Sequence, residues 1–444
     1  MVHPPGPKGP PILGQYSAFR KDPPAFLLRT ARQYGEISYF RIGPQAVFQF
    51  ASPDLIRDVL ITRQHDFIKS RVLQRAKVLL GEGLLTSEGQ FHARQRRLVQ
   101  PAFHRQRLTG YAATMIEYAR AKRDEWQDGQ TLDIAQEMMR LTLAIVAKTL
   151  FNADVQSDAR AIGEALSAVL QLFDLVMMPF SKFVERLPLP AMKRFERGRQ
   201  TLDDIIYRII DERRKSGRDY GDLLSMLLLA EDEEASGGGM TDKQLRDEAL
   251  TLFLAGHETT ANALTWTWYL LSQNPDAEKR FHEEVDRVLG GRDAVPDDFA
   301  QLGYTEAVLS ESMRLYPPAW GIGRMAVKRF DAAQYSVEPG DIVLMSPYVV
   351  HRDPRWYPEP ERFDPGRWTP ELRAARPKFS YFPFGGGARV CIGENFAWME
   401  GVLLLATLAQ RWRLELEPGH PVEYRALITL RPKHGMRMTV HSRS

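Results

Sequence analysis

The spacing of apolar and polar residues predicts a chain built mostly of helices. Residues 23–34 have helical spacing, and in residues 131–152 apolar side chains recur every three or four positions. The alternation in residues 37–50 is shorter and has Gly43-Pro44 at its centre, which predicts a β-hairpin. From residue 54 to residue 234 the spacing is again mostly helical.

The longest predicted helix follows this region. Thr241 and Gln244 form a capping-box pattern at its start, and Pro275 ends it after about Asn274. At about 1.5 Å per residue this helix would span roughly 50 Å. Most of its faces are apolar, so we expect it to be buried. Residues 231–239, which are acidic and then glycine-rich, predict a flexible linker before it.

The last third of the chain changes character. Residues 335–344 and 429–440 have strand-like composition, whereas residues 353–368 are rich in proline, arginine and aromatic side chains and predict an ordered irregular segment. The predicted class is therefore mainly α with small β-sheets.

Composition narrows the functional classes. The 444 residues are 44% hydrophobic and 26% charged, which is an ordinary globular balance. A net charge of +3, from 59 basic and 56 acidic residues, does not favour nucleic-acid binding. No apolar run approaches the roughly 18–20 residues of a membrane span, and the first residues lack a secretory signal. These features predict a cytoplasmic protein without a membrane anchor.

Cys391 is the single cysteine of the chain and follows three successive glycines, Gly385 to Gly387. A lone thiol could be a nucleophile, a redox switch, a buried structural group or one axial ligand of a metal. Glycines without Cβ atoms would let a flat group approach the backbone. Phe384 and Arg389 add an aromatic neighbour and a cation. Together these features favour a haem ligand.

The segment Phe384-x-x-Gly387-x-x-x-Cys391-x-Gly393 resembles the cysteine-ligand signature of the cytochrome P-450 family, the haem-thiolate monooxygenases. The resemblance implies one catalytic domain over residues 1–444, with a large helical part around a long central helix and a smaller β-rich part. It also implies haem b as cofactor, Cys391 as iron ligand, and Phe384 and Gly393 beside the cofactor.

A second resemblance lies in the long helix. Ala255-Gly256-His257-Glu258-Thr259 resembles the family's (A/G)-G-x-(D/E)-T motif. The resemblance implies that Glu258 and Thr259 relay protons to bound dioxygen and that Ala255 and Gly256 line the site. The alternative is that the threonines only satisfy a helix kink. We expect His257 to be structural rather than a ligand.

Two further motifs resemble the parts of a structural ion network that holds the loop before the cysteine in this family. Glu311 and Arg314 resemble the family's E-x-x-R pair, and Arg362, in Pro360-Glu361-Arg362-Phe363, resembles the arginine that completes its buried ion network.

The resemblance also implies cations for the haem propionates. His92 and Arg96 resemble the family's [WH]-x-x-x-R element, and Arg389 and Arg324 complete the predicted set. Arg94 and Arg97 could be confused with Arg96 if the register slips.

The predicted substrate pocket is apolar, which favours a lipophilic substrate. The local sequence at residues 316–320, 346–349 and 381–384 resembles bacterial family members that act on fatty acids, carotenoids or other terpenoids. Lys69 or Arg71 could hold a carboxylate at its mouth, which would suit a fatty acid. The pocket residues implied by the resemblance are Phe67, Ile68, Phe173, Met177, Phe180, Ala319, Trp320, Ile322, Leu427 and Ile428.

The predicted reaction inserts one oxygen atom of O2 into a C–H bond, with electrons from a separate ferredoxin or flavodoxin and its reductase. Arg94, Arg97, Arg105 and Arg107 could form a basic docking face, or simply a solvated helix face. We expect a monomer. The alternatives are a haem-thiolate peroxygenase or isomerase, or a haem sensor without enzymatic activity.

Overall fold

The computed structural model describes residues 3–153, 161–165, 190–229 and 240–443. The chain divides into two compact units. Unit 1 comprises Met1–Arg71, Ala307–Cys391 and Tyr424–Arg431, and unit 2 comprises Val72–Glu306, Ile392–Glu423 and Pro432–Ser444.

Helices dominate the described residues, and the strands are short. The helices are α1 (Tyr16–Lys21), α2 (Pro23–Tyr34), α3 (Pro53–Arg57), α4 (Arg71–Arg75), α5 (Lys77–Leu80), α6 (Gly89–Val99), α7 (Arg105–Glu125), α8 (Ile134–Phe151), α9 (Pro190–Ser216), α10 (Leu223–Leu229), α11 (Asp242–Gln273), α12 (Pro275–Leu289), α13 (Gly303–Leu315), α14 (Pro347–Val350), α15 (Pro370–Ala375) and α16 (Glu394–Ala409). The strands are β1 (Ile37–Ile42), β2 (Gln45–Phe50), β3 (Phe67–Lys69), β4 (Thr131–Asp133), β5 (Ile322–Ala326), β6 (Phe330–Ala332), β7 (Tyr335–Val337), β8 (Ile342–Met345), β9 (Trp412–Leu416), β10 (Tyr424–Ala426), β11 (Leu430–Pro432) and β12 (Arg437–Ser442). The predicted class, mainly α with small sheets, is confirmed.

Unit 1 is organised around a five-stranded sheet with the order β1-β2-β8-β5-β3. The predicted hairpin forms its edge, with Ile42 paired to Gln45 beside the turn. Only β2 and β8 are parallel, and the other pairs are antiparallel. Buried aromatic side chains hold helix α2 on this sheet, for example Phe26 and Phe40, whose ring centroids lie 5.0 Å apart.

Unit 2 contains the long helix predicted from the capping box. Helix α11 begins after Thr241, whose hydroxyl accepts the Gln244 N–H while the Gln244 side chain accepts the Thr241 N–H. It ends at Gln273, before Pro275, as predicted. Most of its side chains are buried, and helix α8 packs along it.

The predicted helix at residues 131–152 begins three residues late. Thr131–Asp133 forms strand β4, which pairs with β12 in a small sheet of unit 2. Asp133 then accepts the Ala135 N–H and caps α8. The strand pairing is non-local, so helical spacing in the sequence could not reveal it.

The helices described above include none with the length and apolar character of a membrane span. The predicted linker at residues 231–239 lies outside the described residues.

Candidate active site

The cysteine loop of unit 1 is closed by a backbone hydrogen bond. Cys391 is exposed, and its N–H donates to the Phe384 carbonyl at 3.0 Å, which closes the loop. Three residues later the chain enters the 16-residue helix α16.

Two of the three glycines of this loop, Gly386 and Gly387, have a different role from the predicted one. A Cβ atom on Gly386 would lie 2.4 Å from the Phe379 ring, and one on Gly387 would lie 1.8 Å from the Leu60 carbonyl oxygen. Gly387 also has a φ of +68°, which favours glycine. The expectation that these two glycines leave room for a cofactor is therefore wrong, because they let the loop pack tightly on its own unit.

In unit 2, helix α11 is open to solvent at one point. Ala255 is exposed although most of the helix is buried, and the hydroxyl of Thr259, one turn later, donates to the Ala255 carbonyl at 2.8 Å. Such a bond within a helix loosens the local backbone. Glu258 is buried beside it. The structure therefore places the Thr259 hydroxyl and the Glu258 carboxyl next to an exposed turn of the helix.

His257 is buried and its Nδ1 lies 2.7 Å from the Phe253 carbonyl oxygen, which fits the predicted structural role. Gly256 allows close packing of α8, because an added Cβ would lie 3.0 Å from Cγ2 of Val146.

A buried acid that the sequence analysis missed lies near this turn. Glu400, on α16, is fully buried, and neither carboxyl oxygen has a well-formed hydrogen bond within the described part of the chain. Burial raises the pKa of Glu400 to about 8, and the nearby Thr260 hydroxyl offsets part of that rise. Glu400 is therefore a neutral acid at pH 7. The sequence signal that could have identified Glu400 is a single glutamate within an otherwise apolar stretch of helix α16.

The buried ion cluster of unit 1 has Glu311 at its centre. The Arg314 guanidinium donates to both Glu311 oxygens at 2.8 Å, and the Trp368 indole and the Asp364 N–H each donate at 2.9 Å. Arg314 also donates to the carbonyls of residues 351, 360 and 362. The cluster thus ties α13 to the irregular segment at residues 353–368.

The prediction that the Arg362 side chain pairs with Glu311 is wrong. Its side chain is 64% exposed and pairs with Glu359 at 3.3 Å, so only its carbonyl takes part in the cluster. The second cation is Arg367, whose Nε lies 3.3 Å from Glu311 Oε1. Residues 365–368 repeat the Pro-x-Arg-aromatic pattern of residues 360–363. The sequence pattern alone could not distinguish Arg362 from Arg367, because only the packing of the chain directs one of the two side chains towards Glu311.

The predicted cations for an anionic cofactor lie on several elements. His92 is buried on α6, and Arg96 follows one turn later on the same side of that helix. In unit 1, Arg324 on β5 is buried directly opposite Lys69 on β3. Because Lys69 is buried, it does not lie at an open mouth, where it was expected to hold a carboxylate.

The predicted pocket residues have different environments. Phe67 is buried in the core of unit 1, with its ring centroid 5.4 Å from that of Phe330. Its side chain therefore packs in this core and does not line a pocket. Trp320 is half-buried, and its indole donates to the Leu427 carbonyl at 2.9 Å. The remaining described candidates, Ile68, Ala319, Ile322 and Ile428, are partly or largely exposed. Phe173, Met177 and Phe180 lie outside the described residues.

Comparison with known proteins identifies the family of the chain. A sequence profile described as Cytochrome P450 matches residues 4–436. The chain belongs to the cytochrome P450 family. This P450 is 40% identical to cyclooctatin synthase of Streptomyces melanosporofaciens, over 96% of this chain and 93% of that protein. It is 38% identical to cyclooctat-9-en-7-ol 5-monooxygenase of the same organism, over 92% and 89%.

Among solved structures, a retinoic acid-bound cyanobacterial CYP120A1 matches this P450 with a TM-score of 0.88 and 26% identity, over the full length of both chains. The predicted fold is confirmed. The enzyme is a haem-thiolate monooxygenase with haem b as cofactor, and it uses O2, electrons from a redox partner and a lipophilic substrate.

The residues of this P450 fit that cofactor. The thiol of Cys391 can ligate iron, and the buried guanidinium of Arg324 has the charge to hold a propionate. His92, Arg96 and Arg389 are the further residues that would hold it. When bound, the haem supplies the chemistry of O2 activation. The protein's own part is to keep the thiolate, bind the propionates and deliver protons.

Proposed function

We propose that this P450 hydroxylates a terpenoid. The identity to two enzymes named for cyclooctatin and cyclooctat-9-en-7-ol carries the proposal, and the retinoic acid-bound neighbour supports it. The burial of Lys69 removes one of the two groups expected to hold a fatty-acid carboxylate at the mouth. These observations favour a terpenoid over the straight-chain fatty acid that the sequence also allowed.

A binding titration tests this proposal. We expect cyclic terpene alcohols to shift the Soret band of the ferric protein at concentrations at least tenfold lower than fatty acids of the same carbon number. The reason is that a compact apolar body fills a pocket lined by the Trp320 and Ile322 side chains better than a flexible chain, which loses more conformational freedom. Tighter binding of the fatty acids would refute the proposal.

We also propose that Glu258 and Thr259 deliver protons during O2 activation. The exposed Ala255 and the back-bonded Thr259 hydroxyl support this role, because they combine access with a donor held in one orientation. The acid supplies a proton and the hydroxyl passes it on. A relay of this kind favours dioxygen over the peroxygenase alternative.

Thr259→Ala should divert electrons from product to hydrogen peroxide. We expect product formed per electron pair to fall at least fivefold while substrate binding stays unchanged, because the proton donor near O2 is lost. Thr265→Ala is the matched control, since its hydroxyl makes the same bond to Ala261 at 2.7 Å on a buried part of α11. Equal coupling in the two variants would contradict the relay.

The redox partner proposed for this P450 is a ferredoxin or flavodoxin. Arg97, Arg105 and Arg107 are exposed in unit 2, and an acidic partner would be steered to such a surface. Arg107 also donates to the Gly221 carbonyl at 2.7 Å, which fixes its orientation. The monomeric state and the single catalytic domain over residues 1–444 stay predictions.

A further inference from the structure

Helices α8 and α11 approach closely at the turn that precedes the proposed relay residues. Thr142 and Val146 lie one turn apart on α8 and therefore share a face. Val146 packs on Gly256, and the Thr142 hydroxyl lies 3.0 Å from the His257 carbonyl oxygen. Both contacts lie within unit 2 and both side chains are buried. A hydroxyl of one helix thus reaches the backbone of the other.

Three successive carbonyls of α11 have a side-chain hydroxyl next to them. Thr259 donates to Ala255 at 2.8 Å, Thr260 donates weakly to Gly256 at 3.4 Å, and Thr142 reaches His257 at 3.0 Å. The first two belong to α11 itself. The third comes from a residue more than a hundred positions earlier, and nothing in the sequence connects it to this turn.

The His257 carbonyl is the acceptor that an ordinary helix offers to the Ala261 N–H. A second donor at this oxygen lowers the cost of lengthening that backbone bond, as hydroxyls do elsewhere in helices. The Thr142 hydroxyl has one hydrogen and can alternatively donate to Met138 at 2.9 Å within α8. It can therefore switch between its own helix and α11 without becoming unsatisfied.

We propose that Thr142 is a positioning residue for the relay. By donating to the His257 carbonyl it stabilises a loosened turn at residues 255–261, in which the Thr259 hydroxyl is presented at the exposed face. This inference rests on the proposed role of Thr259. The Met138 carbonyl competes for the same hydrogen, so the effect is at most that of one neutral hydrogen bond, about a fivefold change in the population of the loosened turn.

Thr142→Val tests the proposal because it keeps the shape of the side chain and removes its hydroxyl. Thr149→Val is the matched control: Thr149 is also buried on α8, and its hydroxyl donates to the Ile145 carbonyl at 2.7 Å. Thr142→Ser restores the hydroxyl. Two measurements are made, namely hydrogen exchange of the peptide covering residues 255–262 in the resting protein, and product formed per electron pair.

We expect Thr142→Val to slow exchange in that peptide by about twofold to fivefold and to lower coupling at least twofold. Thr142→Ser should restore both, and Thr149→Val should match the wild type. If Thr142→Val and Thr149→Val show the same exchange, the proposal is overturned whatever Thr259→Ala does. If Thr142→Val slows exchange but Thr259→Ala leaves coupling intact, the relay fails, and with it the functional role of Thr142.

Discussion

Replacing Glu311 with alanine should lower the free energy of unfolding by about 3–5 kcal/mol, because it leaves buried cations without their acid. Arg314 is fully buried, and both of its contacts with a carboxylate are to Glu311. The Trp368 indole and the Asp364 N–H lose their acceptor in the same step. Urea unfolding of the haem-loaded protein, followed by circular dichroism, measures the loss.

Two arginine variants make this prediction specific. Arg367→Ala should destabilise the protein by more than 1 kcal/mol, since Arg367 is largely buried against Glu311. Arg362→Ala should change stability by at most about 1 kcal/mol, because its pair with Glu359 is exposed. A larger loss for Arg362→Ala than for Arg367→Ala would contradict the assignment of Arg367 to the cluster.

Glu400→Gln should remove a large pH dependence of stability. Burial raises the pKa of Glu400 from 4.5 to about 8, so its favourable contribution is complete below pH 4.5 and is lost as the pH rises towards 8. At about 1.4 kcal/mol per pH unit, the wild type loses on the order of 3 kcal/mol between pH 5 and pH 7.5 through this one group. Glutamine fills the same space without ionising and is spared this loss.

The measurement is the difference in unfolding free energy between Glu400→Gln and the wild type at several pH values. We expect this difference to grow in favour of the variant from pH 5 to pH 8. Glu283→Gln is the control, because Glu283 is an exposed glutamate on α12 and should leave the pH dependence unchanged. If the unfolding free energies of Glu400→Gln and the wild type changed with pH in parallel, the prediction that Glu400 is a buried neutral acid would be refuted.

Glu400 also lies close to the proposed proton relay, because Thr260 is its neighbour. Glu400 lies nine residues after the iron ligand in the sequence, and Thr260 follows the proposed relay residue Thr259. Its neutral form keeps a buried charge away from Thr260 at neutral pH. Ionisation of Glu400 above pH 8 would place a charge there, so we expect stability and relay geometry to deteriorate together.

The elements that the sequence predicted well are those set by local chemistry. Helix α2, the hairpin of β1 and β2, and both ends of α11 follow from proline, turn and capping signals that act over a few residues. Strand β4 was missed because its partner β12 is about three hundred residues away, and no local signal encodes that pairing.

The chemistry of the site divides in the same way. By itself the sequence predicted Cys391 as the thiolate ligand and located Glu258 and Thr259 in the long helix, because these motifs combine rare residue types at fixed short spacings. Only the tertiary structure decided that Arg367 rather than Arg362 meets Glu311, that Lys69 faces Arg324, and that Thr142 reaches the His257 carbonyl. Each of these depends on which way a side chain turns when distant segments pack. That choice is made by burial and hydrogen bonding across the fold rather than by neighbours in the chain.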